Sequence, residues 1–144
     1  MLFVLAPERC QLESPPRTVA VVEDDPSMRR SVERLLNANG FATEGYASAD
    51  TFLSRVDASR IGCLVLDIHL GGMSGVELSH RLKASGVDLS VIFITAVEDE
   101  ALEREVIKAG CVAYLHKPFP AEFLISAVNR ALTASHSQAS GGPR

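Results

Sequence analysis

Cys63-Leu64-Val65-Leu66-Asp67 runs four apolar residues straight into a carboxylate, and Ile68-His69-Leu70-Gly71-Gly72 follows. So short a continuous apolar run, bounded by glycines, reads as a strand buried on both faces. A charge inside such a strand is costly to desolvate. Asp67 therefore belongs at the strand exit, within reach of solvent or a cation. Taken alone, the pattern also fits an aspartate that merely opens a turn, and the rest of the chain has to decide between the two.

Upstream, Thr18-Val-Ala-Val-Val22 is a β-branched run that reads as a first buried strand and ends on Glu23-Asp24-Asp25. Pro26 suits the first helical position, with Asp25 as its cap, and Met28, Val32, Leu35 and Leu36 recur at helical spacing up to Gly40. Phe41 to Ala47 reads as a more exposed second strand, and Ser48 caps a short helix carrying Phe52, Leu53 and Val56. The third strand spans Ile61 to Leu66. After the two glycines, Ser74-Gly75 opens a helix with Val76, Leu78 and Leu82 inward, ended near Gly86.

Val91-Ile92-Phe93-Ile94 is a fourth buried strand, leaving on Thr95. Glu98, Asp99 and Glu100 favour a helix start through its dipole, and that helix carries Leu102, Val106 and Ile107 and stops at Gly110. Cys111 to Leu115 reads as the fifth strand, leaving on His116-Lys117-Pro118. Pro120 starts a last helix carrying Phe123, Leu124, Val128 and Leu132. Five consecutive strand–helix units with short connections predict a doubly wound α/β domain, a five-stranded parallel sheet with helices on both faces. Residues 1–17, ending in Ser14-Pro15-Pro16-Arg17, read as an N-terminal extension, 18–134 as the folded domain, and 135–144 as a disordered Ser/Gly-rich tail or the start of a linker.

The 144 residues suffice for one domain with its own core, and 47% apolar with 22% charged residues describes an ordinary globular protein. A net charge of −4 gives no sequence-wide attraction to nucleic acid or an anionic membrane. No apolar run approaches the ~18 residues of a membrane span. Cys10, Cys63 and Cys111 lack metal-type or paired spacing, which points to a reducing compartment, the cytoplasm.

In open parallel sheets ligands bind beyond the carboxyl ends of the strands. Strand one delivers Glu23, Asp24 and Asp25 there, strand three Asp67, strand four Thr95 and strand five Lys117. Two carboxylates ~4 Å apart repel by about 4 kcal/mol at an effective dielectric of ~20, and a hard divalent cation relieves that. Mg²⁺ is the natural candidate for an oxygen-only set. A carboxylate free on one oxygen could then attack phosphorus and form an acyl phosphate, with Thr95 and Lys117 each taking a phosphoryl oxygen.

With these residues in this order, the chain resembles the receiver domain of two-component response regulators, the CheY-like superfamily. The segments that carry the resemblance are Val-Val-Glu23-Asp24-Asp25-Pro-Ser-Met-Arg, Leu-Val-Leu-Asp67, Met73-Ser-Gly75-Val-Glu-Leu, Ile-Thr95-Ala96 and Tyr114-Leu-His-Lys117-Pro118-Phe, and they span Thr18 to Leu132. The resemblance implies a flavodoxin-like strand order 2-1-3-4-5. It implies Asp67 as phosphoacceptor, taking its phosphoryl group from a phosphohistidine on a sensor histidine kinase or histidine phosphotransfer protein. Glu23, Asp24, Asp67 and the backbone carbonyl of His69 would hold Mg²⁺. Thr95 and Lys117 would be the switch hydroxyl and the phosphate-binding lysine, Tyr114 the aromatic whose rotamer reports phosphorylation, and Lys117-Pro118 a cis bond. The Asp99–Ala109 helix, the fifth strand and the Ala121–Ala134 helix would then form the face for a downstream target or homodimer. Such a protein catalyses its own phosphorylation and dephosphorylation without being a conventional enzyme.

Three residues depart from the family pattern. Glu23 replaces the commoner aspartate, Gly71 stands where proline is usual and with Gly72 predicts a more mobile loop, and His69 overlooks the phosphoryl site, where it is expected to modulate autodephosphorylation. Two other readings stay open: a receiver-like interaction module that works without phosphorylation, and a Mg²⁺-dependent aspartyl-phosphate phosphatase. The second fits less well, because its nucleophile would follow the first strand in an Asp-x-Asp pattern, whereas Asp67-Ile68-His69 comes third and lacks the second acid. After Leu132 only the Ser/Gly tail remains, so either a stand-alone receiver or part of a longer chain is expected.

Overall fold

A computed structural model describes residues 18–140. Five strands and five α-helices alternate along the chain: β1 (Thr18–Val22), α1 (Pro26–Ala38), β2 (Thr43–Tyr46), α2 (Ala49–Arg55), β3 (Ile61–Asp67), α3 (Gly75–Ala84), β4 (Ser90–Thr95), α4 (Glu100–Ala109), β5 (Ala113–His116) and α5 (Ala121–Ser140), with a 3₁₀ turn at Ala58–Arg60 before β3. All strand pairs are parallel and the order is β2-β1-β3-β4-β5, the doubly wound arrangement expected from the alternation. The chain adds β2 on one side of β1 and β3 on the other, so the winding reverses between β1 and β3. That reversal opens a crevice at their carboxyl ends.

Strand alternation divides the core into two layers. Val19 and Val21 of β1, Cys63 and Val65 of β3, and Ile92 and Ile94 of β4 pack against α1 and α5. Their neighbours Ala20, Val22, Leu64, Leu66, Val91 and Phe93 pack against α2, α3 and α4 on the other face. Every residue of β3 is buried, which is why that strand shows no alternation in sequence.

Helix starts follow their local chemistry. The Asp25 carboxylate accepts from the Ser27 and Met28 N–H groups, and Ser48, Ser74 and Asp99 cap α2, α3 and α4 in the same way. Gly40, Gly86 and Gly110 close α1, α3 and α4 with φ of +90°, +82° and +102°.

Two of the apolar residues that the sequence places on the last two helices stand exposed. Ile107 on α4 and Phe123 on α5 are 53% and 54% exposed. Their helices bury other stripes, Val106 on α4 and Leu124, Ala127, Val128 and Ala131 on α5. Apolar periodicity alone cannot separate an inward position from its neighbour one residue along. The last helix also runs past Ala134 to Ser140. Residues 135–140 contain neither glycine nor proline, and the first helix-breaking pair in the tail is Gly141-Gly142. The N-terminal extension 1–17 and residues 141–144 lie outside the described residues.

Candidate functional site

Parallel register carries the strand exits to one end of the sheet. β1 pairs β3 with Val22 opposite Leu66, so the next residue of each, Glu23 and Asp67, emerge side by side. β3 pairs β4 with Asp67 opposite Ile94, placing Thr95 one step further along. β4 pairs β5 with Thr95 opposite His116, and the next residue, Lys117, donates its N–H to the Thr95 carbonyl at 2.8 Å. The Lys117–Pro118 bond is cis, as the resemblance implied.

Carboxylate oxygens of Glu23, Asp24 and Asp67 all lie within 4.8 Å of one another. Glu23 is 1% exposed and Asp67 4%, whereas Asp24 faces solvent. The Lys117 ammonium joins the two buried acids, donating to Glu23 Oε1 at 2.8 Å and Asp67 Oδ2 at 3.0 Å. Without that cation, two desolvated carboxylates side by side would be strongly unfavourable. Backbone donors hold the other oxygens: Asp25 N–H to Glu23 Oε2 at 3.2 Å, His69 N–H to Asp67 Oδ1 at 3.0 Å and Gly71 N–H to Asp24 Oδ2 at 3.2 Å. The Arg29 guanidinium donates to the Glu23 carbonyl at 2.7 Å, tying α1 to the end of β1.

Burial pushes the Glu23 carboxyl up to about 7, although its hydrogen bond from Lys117 pulls the other way. Burial also works against the Lys117 ammonium, but the hydrogen bonds to Glu23 and Asp67 outweigh it and raise its pKa. Three carboxylates and no nitrogen or sulfur donor make an oxygen-only set that fits a hard cation such as Mg²⁺, and the exposed Asp24 leaves a way in.

Glu23, Asp24, Asp67 and Lys117 are thus brought together as the sequence predicted. Thr95, fully buried at the end of β4, has its hydroxyl engaged locally, accepting from the Val97 N–H at 3.1 Å. Tyr114 is half-buried on β5, its ring edge-on to His116 at 5.4 Å between centroids. Its hydroxyl and the His116 Nε2 are buried with no hydrogen-bond partner among the described residues. Burial, with Glu103 and Asp99 nearby, raises the Tyr114 pKa. The His69 side chain is exposed, and its N–H, rather than its ring, contacts Asp67.

Sequence reasoning missed the supporting contacts from Arg29, Gly71 and Gly75. Gly75 opens α3 directly against the end of β3: its N–H donates to the Ile68 carbonyl at 2.9 Å, and a Cβ there would collide with the Asp67 carbonyl oxygen and stand 3.0 Å from Ile68 Cα. The only signal was a glycine at a helix start, which reads equally as a cap residue. The Gly71 N–H ties the loop after Asp67 to the Asp24 carboxylate, while the turn itself is made by Gly72 at φ +91°.

Residues 19–129 match the family profile described as the response regulator receiver domain. The chain is 34% identical over 126 residues to the response regulator protein TodT of Pseudomonas putida and 38% identical over 114 residues to the transcriptional regulatory protein FixJ of Rhizobium meliloti. These alignments cover 88% and 79% of this chain but 56% of each relative, so the chain spans about half the length of the curated relatives it matches. Among solved structures, it is similar to FixJ-N (TM-score 0.76, 36% identity, 83% of this chain and 96% of that one). It is also similar to the response regulator StyR, with a TM-score of 0.81, 37% identity, and coverage of 88% of this chain and 64% of that one.

Proposed function

The chain belongs to the response regulator receiver domain family, and from that premise we propose that Asp67 accepts a phosphoryl group with Mg²⁺ bound by its acidic neighbours. The observation that carries this reading is the Lys117 ammonium bridging Glu23 and Asp67 beside the solvent-facing Asp24. Asp67 supplies a carboxylate oxygen as nucleophile, and the donor is a phosphohistidine on a sensor histidine kinase or histidine phosphotransfer protein in the cytoplasm. A P–O bond forms to Asp67 as the P–N bond of the donor breaks, and the electron pair returns to the imidazole nitrogen. Glu23, Asp24, Asp67 and the His69 backbone carbonyl would hold Mg²⁺, which would supply electrophilic neutralisation of phosphoryl charge. Lys117 spends two of its three N–H donors on Glu23 and Asp67, leaving one for a phosphoryl oxygen. Thr95 takes another by turning its hydroxyl from the Val97 N–H.

The added charge of about −1.5 to −2 then biases the β4–β5 edge. Movement of Thr95 makes room for Tyr114, whose unpartnered hydroxyl resists leaving less than a bonded one would. The readout is the α4-β5-α5 face, where Ile107 and Phe123 stand exposed for a downstream target or a second copy. The exposed His69 side chain, two residues past Asp67, modulates the water that hydrolyses the acyl phosphate; His69→Ala changes the lifetime of that species if so. Incubation with Mg²⁺ and acetyl phosphate, followed by intact mass, tests the central reading. The expected result is a gain of one phosphoryl group that is absent in Asp67→Asn; no gain in the unmutated chain overturns it in favour of a phosphorylation-independent interaction module.

A further inference from the structure

Asp24 is the member of the acidic cluster with the least to hold it. Glu23 and Asp67 are buried and share the Lys117 ammonium, whereas Asp24 stands in solvent. An exposed aspartate samples several rotamers, and a cation site gains affinity when its carboxylates are already oriented. The Gly71 N–H supplies that orientation, reaching across 47 positions of sequence to Asp24 Oδ2 at 3.2 Å. A carboxylate offers about four lone-pair sites on its two oxygens, so an N–H on Oδ2 leaves Oδ1 open to a metal.

What matters at position 71 is the N–H and not the missing side chain. A Cβ on Gly71 would meet Asp24 Oδ2 at 3.9 Å, an ordinary contact, and the residue does not have a positive φ. Any residue but proline could donate here, and proline is the residue that the receiver pattern usually carries at this point. This chain therefore has a donor that a proline would delete.

We propose that the Gly71 N–H is a positioning group for Asp24, holding its carboxylate in the orientation that receives Mg²⁺. The proposal rests on the reading of Glu23, Asp24 and Asp67 as a Mg²⁺ site. The test is calorimetric titration of the whole chain with Mg²⁺, comparing the unmutated protein with Gly71→Pro and Gly71→Ala. Gly71→Pro is expected to raise the Mg²⁺ Kd by about 10-fold or more, the usual cost of losing a contact that orients a ligand. Gly71→Ala, which keeps the N–H, is expected to stay within about twofold of the unmutated protein. Equal affinity in Gly71→Pro and the unmutated chain overturns the proposal, and so does equal weakening by proline and alanine. Absence of Mg²⁺ binding in the unmutated chain overturns the metal-site reading itself. Should Gly71→Pro fail to fold, amide exchange followed by NMR decides: the Gly71 amide must exchange several-fold faster in Asp24→Ala, with Gly72 unchanged. An unchanged Gly71 rate there overturns the proposal.

Discussion

β3 and β5 end at the same edge of the site but are built differently. All seven residues of β3 are buried, and the strand lies between β1 and β4; all four of β5 are only half-buried, at the end of the sheet. At the end of β3, both oxygens of Asp67 are hydrogen-bonded, one to a backbone N–H and one to an ammonium. On β5 the Tyr114 hydroxyl and the His116 Nε2 are buried without partners among the described residues. An unpaired buried polar atom costs about 1–3 kcal/mol, and that cost lowers the barrier to leaving the position. The proposed nucleophile thus sits where packing and hydrogen bonds leave it no alternative. The aromatic proposed to relay its state sits where both are loose.

Truncation of one core leucine on each strand tests the contrast most severely. Leu64→Ala on β3 empties a fully buried site and should cost about 3 kcal/mol or more, by urea denaturation. Leu115→Ala on β5 removes half-buried surface and should cost about 1 kcal/mol. Equal losses would erase the distinction between a rigid strand and a loose one.

Glu23 sharpens the comparison through pH. Its carboxyl is raised from an ordinary 4.5 to about 7 by burial, so between those values the folded state holds more protons than the unfolded chain. Stability of the metal-free protein should therefore fall as pH rises through that window, by about 3 kcal/mol. Glu23→Gln, measured by denaturation in chelator across pH 4.5 to 7, should flatten that slope and be the more stable form at the upper end. Parallel pH profiles for the two proteins would mean that Lys117 already compensates the buried charge.

The smallest effect is expected on the loose strand. Tyr114→Phe deletes the unpartnered hydroxyl and should raise stability by about 1 kcal/mol, seen as a higher Tm. A loss of similar size would show that the hydroxyl is bonded and β5 is less free than its neighbours imply.

Much of this arrangement was legible in the residues. Caps at Asp25 and Ser48, and helix starts at Ser74 and Asp99, were readable because a short polar side chain before an apolar-periodic run acts within three residues of itself. The strand exits were readable because apolar runs that end abruptly on acid, hydroxyl or amine leave little choice of where the charge goes. The exposure of Ile107 and Phe123 was not legible, because an apolar stripe on a helix is wide enough to include positions on either side of its centre. Gly75 and Gly71 were under-read because their partners, the Asp67 and Ile68 backbone and the Asp24 carboxylate, belong to other segments of the chain.

From the pentapeptide ending in Asp67, and the three other strand exits that accompany it, the sequence alone determined a parallel α/β fold and the residue types that meet at one end of its sheet. Those follow from burial and period, which are properties of local segments. Only the tertiary structure decided how the polar groups are matched: Lys117 shared between Glu23 and Asp67, Asp24 fastened by the N–H of Gly71, and the Tyr114 hydroxyl left without a hydrogen-bond partner among the described residues. Such pairings depend on separations of a few ångströms between residues tens of positions apart, and those are set by strand register and by how closely α3 approaches β3.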